Sequence, residues 1–175
     1  MIAARVKPPA TRSADPIQAS PLALQPELLQ SFLRLYGTLW SQGVLDQATK
    51  ELARIRNART IDCPICKAIR FKGAREEGLT EDVVDRIRDG YQGSDLSARQ
   101  KAVLRFVDAF LASPGEIPEE LRRELLAHFT PDQLVELAAA VGLFMGFSKI
   151  AVALGGLPDQ IPVHEQPTPA WPATA

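Results

Sequence analysis

The chain's 175 residues are enough for one ordinary domain with a substantial core and hardly enough for two. Apolar residues make up 46%, charged residues 23%, and the formal net charge is −1, which argues against a polyanion-binding surface, an acidic tail or a wholly disordered chain. Nucleic acid is therefore not expected as a partner, and two cysteines are too few for the disulfide scaffold of a small secreted domain.

Residues 1–22 are rich in Pro, Ala and Ser with no apolar period and read as a flexible N-terminal arm, while residues 158–175 hold five prolines and read as a tail. The N-terminal run MIAARVKPPATRSADP has no apolar signal-peptide core. Apolar stretches such as 137–147 fall short of the roughly 20 residues that cross a bilayer. A cytoplasmic protein without a membrane partner is the expectation. Between the two ends, residues 23–157 follow a helical period nearly everywhere, which predicts one all-α domain, a bundle of about seven helices.

A first helix is predicted over 27–40, where Leu28, Leu29, Phe32, Leu33, Leu35, Tyr36 and Leu39 form a broad apolar face. Asp46 suits the cap of a second, in which Leu52, Ile55 and Ala58 keep helical spacing. A third should start at Asp62 to Pro64, with Asp62 as its cap, and run unbroken to Gly78. Thr80 opens a short fourth, Ser97 a fifth with Val103, Phe106 and Val107 on its buried face, and residues 118–129 form a sixth. The seventh begins at Thr130-Pro131, is apolar round most of its circumference and stops at Gly155-Gly156. Such a helix is either the centre of the bundle or half of a subunit interface.

Both cysteines fall in the stretch DCPICKAIR, at the start of the third predicted helix. Cys63 lies at or near the cap and Cys66 one turn later, where unpaired backbone N–H groups and the helix dipole favour a thiolate. Three-residue spacing also lets the sulfurs join with little movement, as a two-electron dithiol cycle requires. Lys67 and Arg70 follow, and on a continuous helix Arg70 would share the face of Cys66 and lower its pKa. Two other readings of the pair are open: two small apolar residues on an inner helix face, or half of a zinc site completed by His128, His164 or carboxylates. A thioredoxin-like setting is excluded, because no strand precedes the motif. No cofactor is called for.

Glu51 precedes Cys63 by twelve residues, and the run ELARIRNARTIDCPICKAIRFKGAREEGLTEDVV resembles the signature of the carboxymuconolactone decarboxylase superfamily, in particular its alkylhydroperoxidase D-like branch. The resemblance extends through the closing helices to about residue 157. It implies an all-α fold assembled into dimers, trimers or hexamers, and an antioxidant thiol peroxidase or disulfide reductase recharged by an external dithiol. In that scheme Cys66 is oxidised to a sulfenic acid by a hydroperoxide, Cys63 closes the disulfide, and Glu51 starts a proton relay. Desolvation suits such a relay by raising a buried carboxylate's pKa. The residues alone leave a surface salt bridge from Glu51 to Arg54 or Arg56 equally open.

The sequence departs from the branch at two points. Where the family carries a histidine four residues after the second cysteine, and often another just before it, this chain has Arg70 and Ile65. An arginine can stabilise a thiolate but cannot shuttle a proton. His128 and His164 read as a cap and a surface residue, and decarboxylation is disfavoured because it would leave the CPIC pair idle. The alternative to a redox enzyme is an oligomeric helical protein whose family site has decayed to a binding or assembly role. Trp40, Phe71, Phe144 and Phe147 are guessed as apolar walls of any pocket.

Overall fold

Helix α2 (Gln47–Ile61) runs through the middle of the molecule, with α6 (Ala98–Ala112) and α8 (Pro131–Leu154) against it. The computed structural model describes residues 4–10, 17–156 and 161–171, so parts of the two expected arms, and the expected domain end at residue 157, lie outside the described residues. The remaining helices are α1 (Pro26–Ser41), α3 (Pro64–Ala68), α4 (Lys72–Glu76), α5 (Glu81–Arg86) and α7 (Glu119–His128). Two three-residue strands, β1 (Ile69–Phe71) and β2 (His164–Gln166), complete an otherwise helical fold.

Residue types set most helix starts as anticipated. Asp46 accepts from the Thr49 amide at 2.8 Å, Thr80 caps α5, and Ser97 with Gln100 and Thr130 with Gln133 form capping boxes. The core joins α2, α6 and α8 through Leu52, Ile55, Val103, Val107, Leu137 and Val141, all under 3% exposed. Above it lies an aromatic cluster in which Trp40 and Phe71 meet at 4.7 Å and Phe32 stacks on Phe147 at 5.2 Å.

Helix α8 has the bounds expected of the seventh helix, between Thr130 and Gly155, but is more apolar over its length than its uninterrupted apolar stretches suggested. It spans 24 residues with an 18-residue window of mean hydropathy 2.0, long and apolar enough by length and composition to cross a bilayer. Its periodic neighbours, not single apolar runs, supply that length. Leu137, Ala140, Val141, Phe144, Ser148 and Ala151 are its buried residues.

The predicted third helix is not continuous. Asp62 takes a left-handed conformation (φ 59°, ψ 43°) as the C-cap of α2, and Cys63, not Asp62, is the N-cap of α3. After Ala68 the chain turns extended for three residues and resumes as α4. The Cys66 carbonyl, which a continuous helix would offer to the Arg70 amide, instead accepts from Arg54 Nη1 at 2.8 Å, and the Ile69 carbonyl from Arg54 Nη2 at 2.7 Å. A buried guanidinium thus takes the place of a helical turn.

The C-terminal segment is not a free tail over its described residues. Residues 164–166 lie parallel to 69–71, with Ile69 opposite His164 and Phe71 opposite Gln166. Farther on, the Gly73 amide donates to Thr168 Oγ1 at 2.8 Å, and Ser41 Oγ both accepts from the Trp171 amide and donates to its carbonyl. The strap so formed borders the same cavity as Cys66.

Candidate thiol active site

On α2, Glu51, Arg54 and Asn57 are spaced three apart and line one face. That face is buried: Glu51 and Asn57 are 0% exposed and Arg54 4%. Charge inside a core must be paired, and it is. Arg54 Nε and Nη2 donate to the two Glu51 oxygens at 2.7 Å each, and the Phe71 amide donates to Glu51 Oε1 at 3.2 Å. Glu51 therefore makes the expected pair with Arg54, but in the interior and not on the surface.

The remaining donors of Arg54 hold the carbonyls of Cys66 and Ile69, so the pair fixes the backbone that carries the second thiol. Cys63 and Cys66 are both free thiols, with Sγ atoms 2.8 Å apart. Cys63 is 0% exposed and Cys66 9%, so an incoming reagent meets Cys66. Ser148 on α8 donates its hydroxyl to Cys66 Sγ at 3.5 Å and accepts from Asn57 Nδ2 at 3.1 Å. Because the amide occupies one lone pair, the hydroxyl proton is directed at the sulfur.

These contacts separate the two thiols chemically. The S–H of Cys63, donated to Cys66, lowers the Cys66 pKa to about 7, with help from the Ser148 hydroxyl and the Arg54 charge and against the effect of burial. Cys63 moves upward, first because its proton is held by Cys66 and then because it is buried. Cys66 is the more readily ionised of the two thiols, and Cys63 the one that keeps its proton.

A pH series tests this assignment. The rate of Cys66 alkylation by iodoacetamide should rise with pH and reach half its plateau near pH 7, below the midpoint of about 8.5 for an ordinary cysteine. Cys63→Ala should move the midpoint up by about one unit or more, since a hydrogen bond to a charged group stabilises it by about 1.5–3 kcal/mol. Ser148→Ala should move it in the same direction by less. A midpoint at the ordinary value in the unaltered protein would refute the assignment.

Arg70 does not occupy the position expected of it. Its guanidinium donates to Glu81, with Nε at 3.0 Å from Oε1, and to the carbonyls of Lys67 and Ile69. The break at Ile69 removes it from the helical face of Cys66, and the guanidinium beside the thiolate is that of Arg54. Lys67 pairs with Asp62 at the surface. His128 closes α7, and His164 sits in β2 with Nδ1 2.9 Å from the Pro162 carbonyl. Among the described residues, no group of three or more His, Cys, Asp or Glu converges as a metal site.

Cys66 opens into a cavity of about 530 Å³. Phe71, Phe144 and Phe147 line it as guessed, whereas Trp40 is fully buried behind them. Tyr36 also faces the cavity, and burial holds its hydroxyl in the neutral form. Asn57, Ser148 and the strap were missed in the sequence, and Arg54 was named only as a surface partner of Glu51. The three-residue spacing of Glu51, Arg54 and Asn57 on a helix otherwise read as core was the signal available for two of them.

Fold and site define a mostly helical protein with a buried dithiol beside an apolar cavity. Residues 26–109 match the family described as "Carboxymuconolactone decarboxylase family". An uncharacterized protein of Mycobacterium tuberculosis is 32% identical over 111 residues, 63% of this chain and 39% of that protein. The uncharacterized protein YdfG of Bacillus subtilis is 24% identical over 115 residues, 65% of this chain and 78% of that one. The match thus spans about two fifths of the mycobacterial relative. Among solved structures, a protein of unknown function from Agrobacterium tumefaciens superposes with a TM-score of 0.68 at 21% identity, covering 78% of this chain and 93% of that one. A peroxidase-related protein with an AhpD core from Ralstonia eutropha gives 0.67 at 22% identity, covering 81% and 79%. The chain has the helical fold of these AhpD-related structures, and its residues 26–109 are similar to the carboxymuconolactone decarboxylase family.

Proposed function

We propose that the chain is a dithiol oxidoreductase that reduces hydroperoxides at Cys66 and is recharged by an external dithiol. The observation that carries this reading is the contact of Cys63 with Cys66 at 2.8 Å, with only Cys66 facing the cavity. The peroxidase-related description of the Ralstonia eutropha protein of like fold supports it.

The cycle balances without a histidine. Cys66 thiolate attacks the outer oxygen of the hydroperoxide; an S–O bond forms, the O–O bond breaks, and the departing alkoxide takes the Cys63 proton to leave as alcohol. Cys63 thiolate then attacks Cys66 Sγ, an S–S bond forms, and the departing hydroxide takes a proton from solvent to give water. Two electrons pass from the thiol pair to the peroxide, and thiol–disulfide exchange with the external dithiol restores them. The second thiol supplies the proton that the family's relay histidines would otherwise provide, and the Glu51–Arg54 pair holds the Cys66 backbone.

Steady-state peroxide consumption in the presence of dithiothreitol tests the reading. Consumption should exceed the protein-free rate in proportion to protein and vanish when dithiothreitol is withheld after the first turnover. Consumption equal to the protein-free rate across the pH range would contradict it.

A further inference from the structure

We propose that the strap, residues 161–171, is the specificity-determining wall of the Cys66 cavity and selects electrophiles that carry a bulky apolar group. This deepens the reading of Cys66 as a reactive thiolate and rests on it. Three observations converge. First, residues 166–171 all line the cavity into which Cys66 opens, so that Pro167, Pro169 and Trp171 share its wall with Phe144 and Phe147. Second, the strap is held along its length: by pairing with β1, by an Arg75–Glu165 ion pair at 3.4 Å, by the Gly73 amide on Thr168, and by Ser41 and Gln42 on the ends of Trp171. Third, two helices make room for it with glycine. A Cβ at Gly37 would lie 2.7 Å from the Ala170 carbonyl oxygen, and one at Gly73 would lie 2.8 Å from Thr168 Oγ1.

The cavity volume of about 530 Å³ far exceeds what a hydrogen peroxide molecule needs and lies within the roughly 300–1,000 Å³ range of sites for organic ligands. Cys66, Ser148 and Arg54 lie together in its lining, and most of the rest of the exposed wall is apolar. A substrate fitting this shape has its electrophilic atom at the thiolate and its apolar body between the phenylalanines and the strap. For an organic hydroperoxide the outer oxygen lies at Cys66 and the substituent under the strap.

Alkylation tests the wall independently of peroxide chemistry, because it needs only the thiolate: an S–C bond forms and the halide leaves with its electron pair. The readout is the ratio of Cys66 alkylation rates for an N-aryl iodoacetamide and iodoacetamide, in the full chain with Gly37→Val and with Trp171→Ala. The first variant drives the strap off α1; the second removes wall surface while leaving α1 intact. The ratio should fall roughly tenfold in each, the size of effect expected when apolar pocket contacts are lost. If Gly37→Val does not fold, Trp171→Ala decides alone. A ratio unchanged in Trp171→Ala, or a fall accompanied by an upward shift of the pH midpoint of about a unit or more, would overturn the proposal. Absence of peroxide turnover in the unaltered protein, with the alkylation ratio still falling in the variants, would instead count against the proposed function and leave the wall standing.

Discussion

Cys66→Ser is expected to abolish hydroperoxide-driven thiol loss, leaving Cys63 unreacted after exposure that converts the unaltered dithiol completely. The expectation follows from burial and protonation together: Cys63 is sealed from solvent and holds its proton, so nothing reactive faces the cavity once the Cys66 sulfur is gone. Cys63→Ser should behave differently. It retains a hydroxyl donor beside Cys66, so the first step survives, but no second thiol closes the disulfide, and a sulfenic acid accumulates that dimedone traps. Mass spectrometry of both variants reads the difference. Equal loss of thiol in Cys66→Ser and in the unaltered protein would show that the order of the two sulfurs is wrong.

Removing one partner of the Glu51–Arg54 pair is expected to be the most destabilising change at the site. Both groups are enclosed, and either alone would be an unpaired charge in the core, at a cost of about 3–5 kcal/mol. For a chain of this length Arg54→Met should lower the thermal midpoint by on the order of 10 °C, read by circular dichroism. Arg54 also holds the Cys66 and Ile69 carbonyls, so those acceptors lose their partner as well. The double variant Glu51→Leu with Arg54→Met should recover part of the loss, because no charge is then left unpaired. A single-variant loss under about 1 kcal/mol is what an exposed pair gives and would contradict this account.

The helical class and most helix starts were legible because they rest on local chemistry: Asp46, Thr80, Ser97 and Thr130 each satisfy amides within three residues. The thiol pair was legible for the same reason. What escaped depends on partners distant in sequence. The third helix breaks because Arg54, twelve residues earlier, takes the Cys66 carbonyl, and no periodicity within residues 62–78 reports that. The break in turn moves Arg70 to Glu81, so a guanidinium assigned from spacing was the wrong one of two. Ser148 reaches Cys66 across 82 positions, and the strap reaches β1 across about ninety-five; composition alone marked the latter as a tail. Proline-rich sequence indicates an extended chain, and an extended chain can lie on a surface as readily as leave it.

Single turnover with a stoichiometric organic hydroperoxide, followed by peptide mapping and product analysis, tests the central claim most directly. One equivalent should consume both thiols, yield one equivalent of the alcohol, and leave a disulfide joining Cys63 and Cys66 that dithiothreitol reverses. Thiols that remain titratable while the peroxide is recovered unchanged would contradict it.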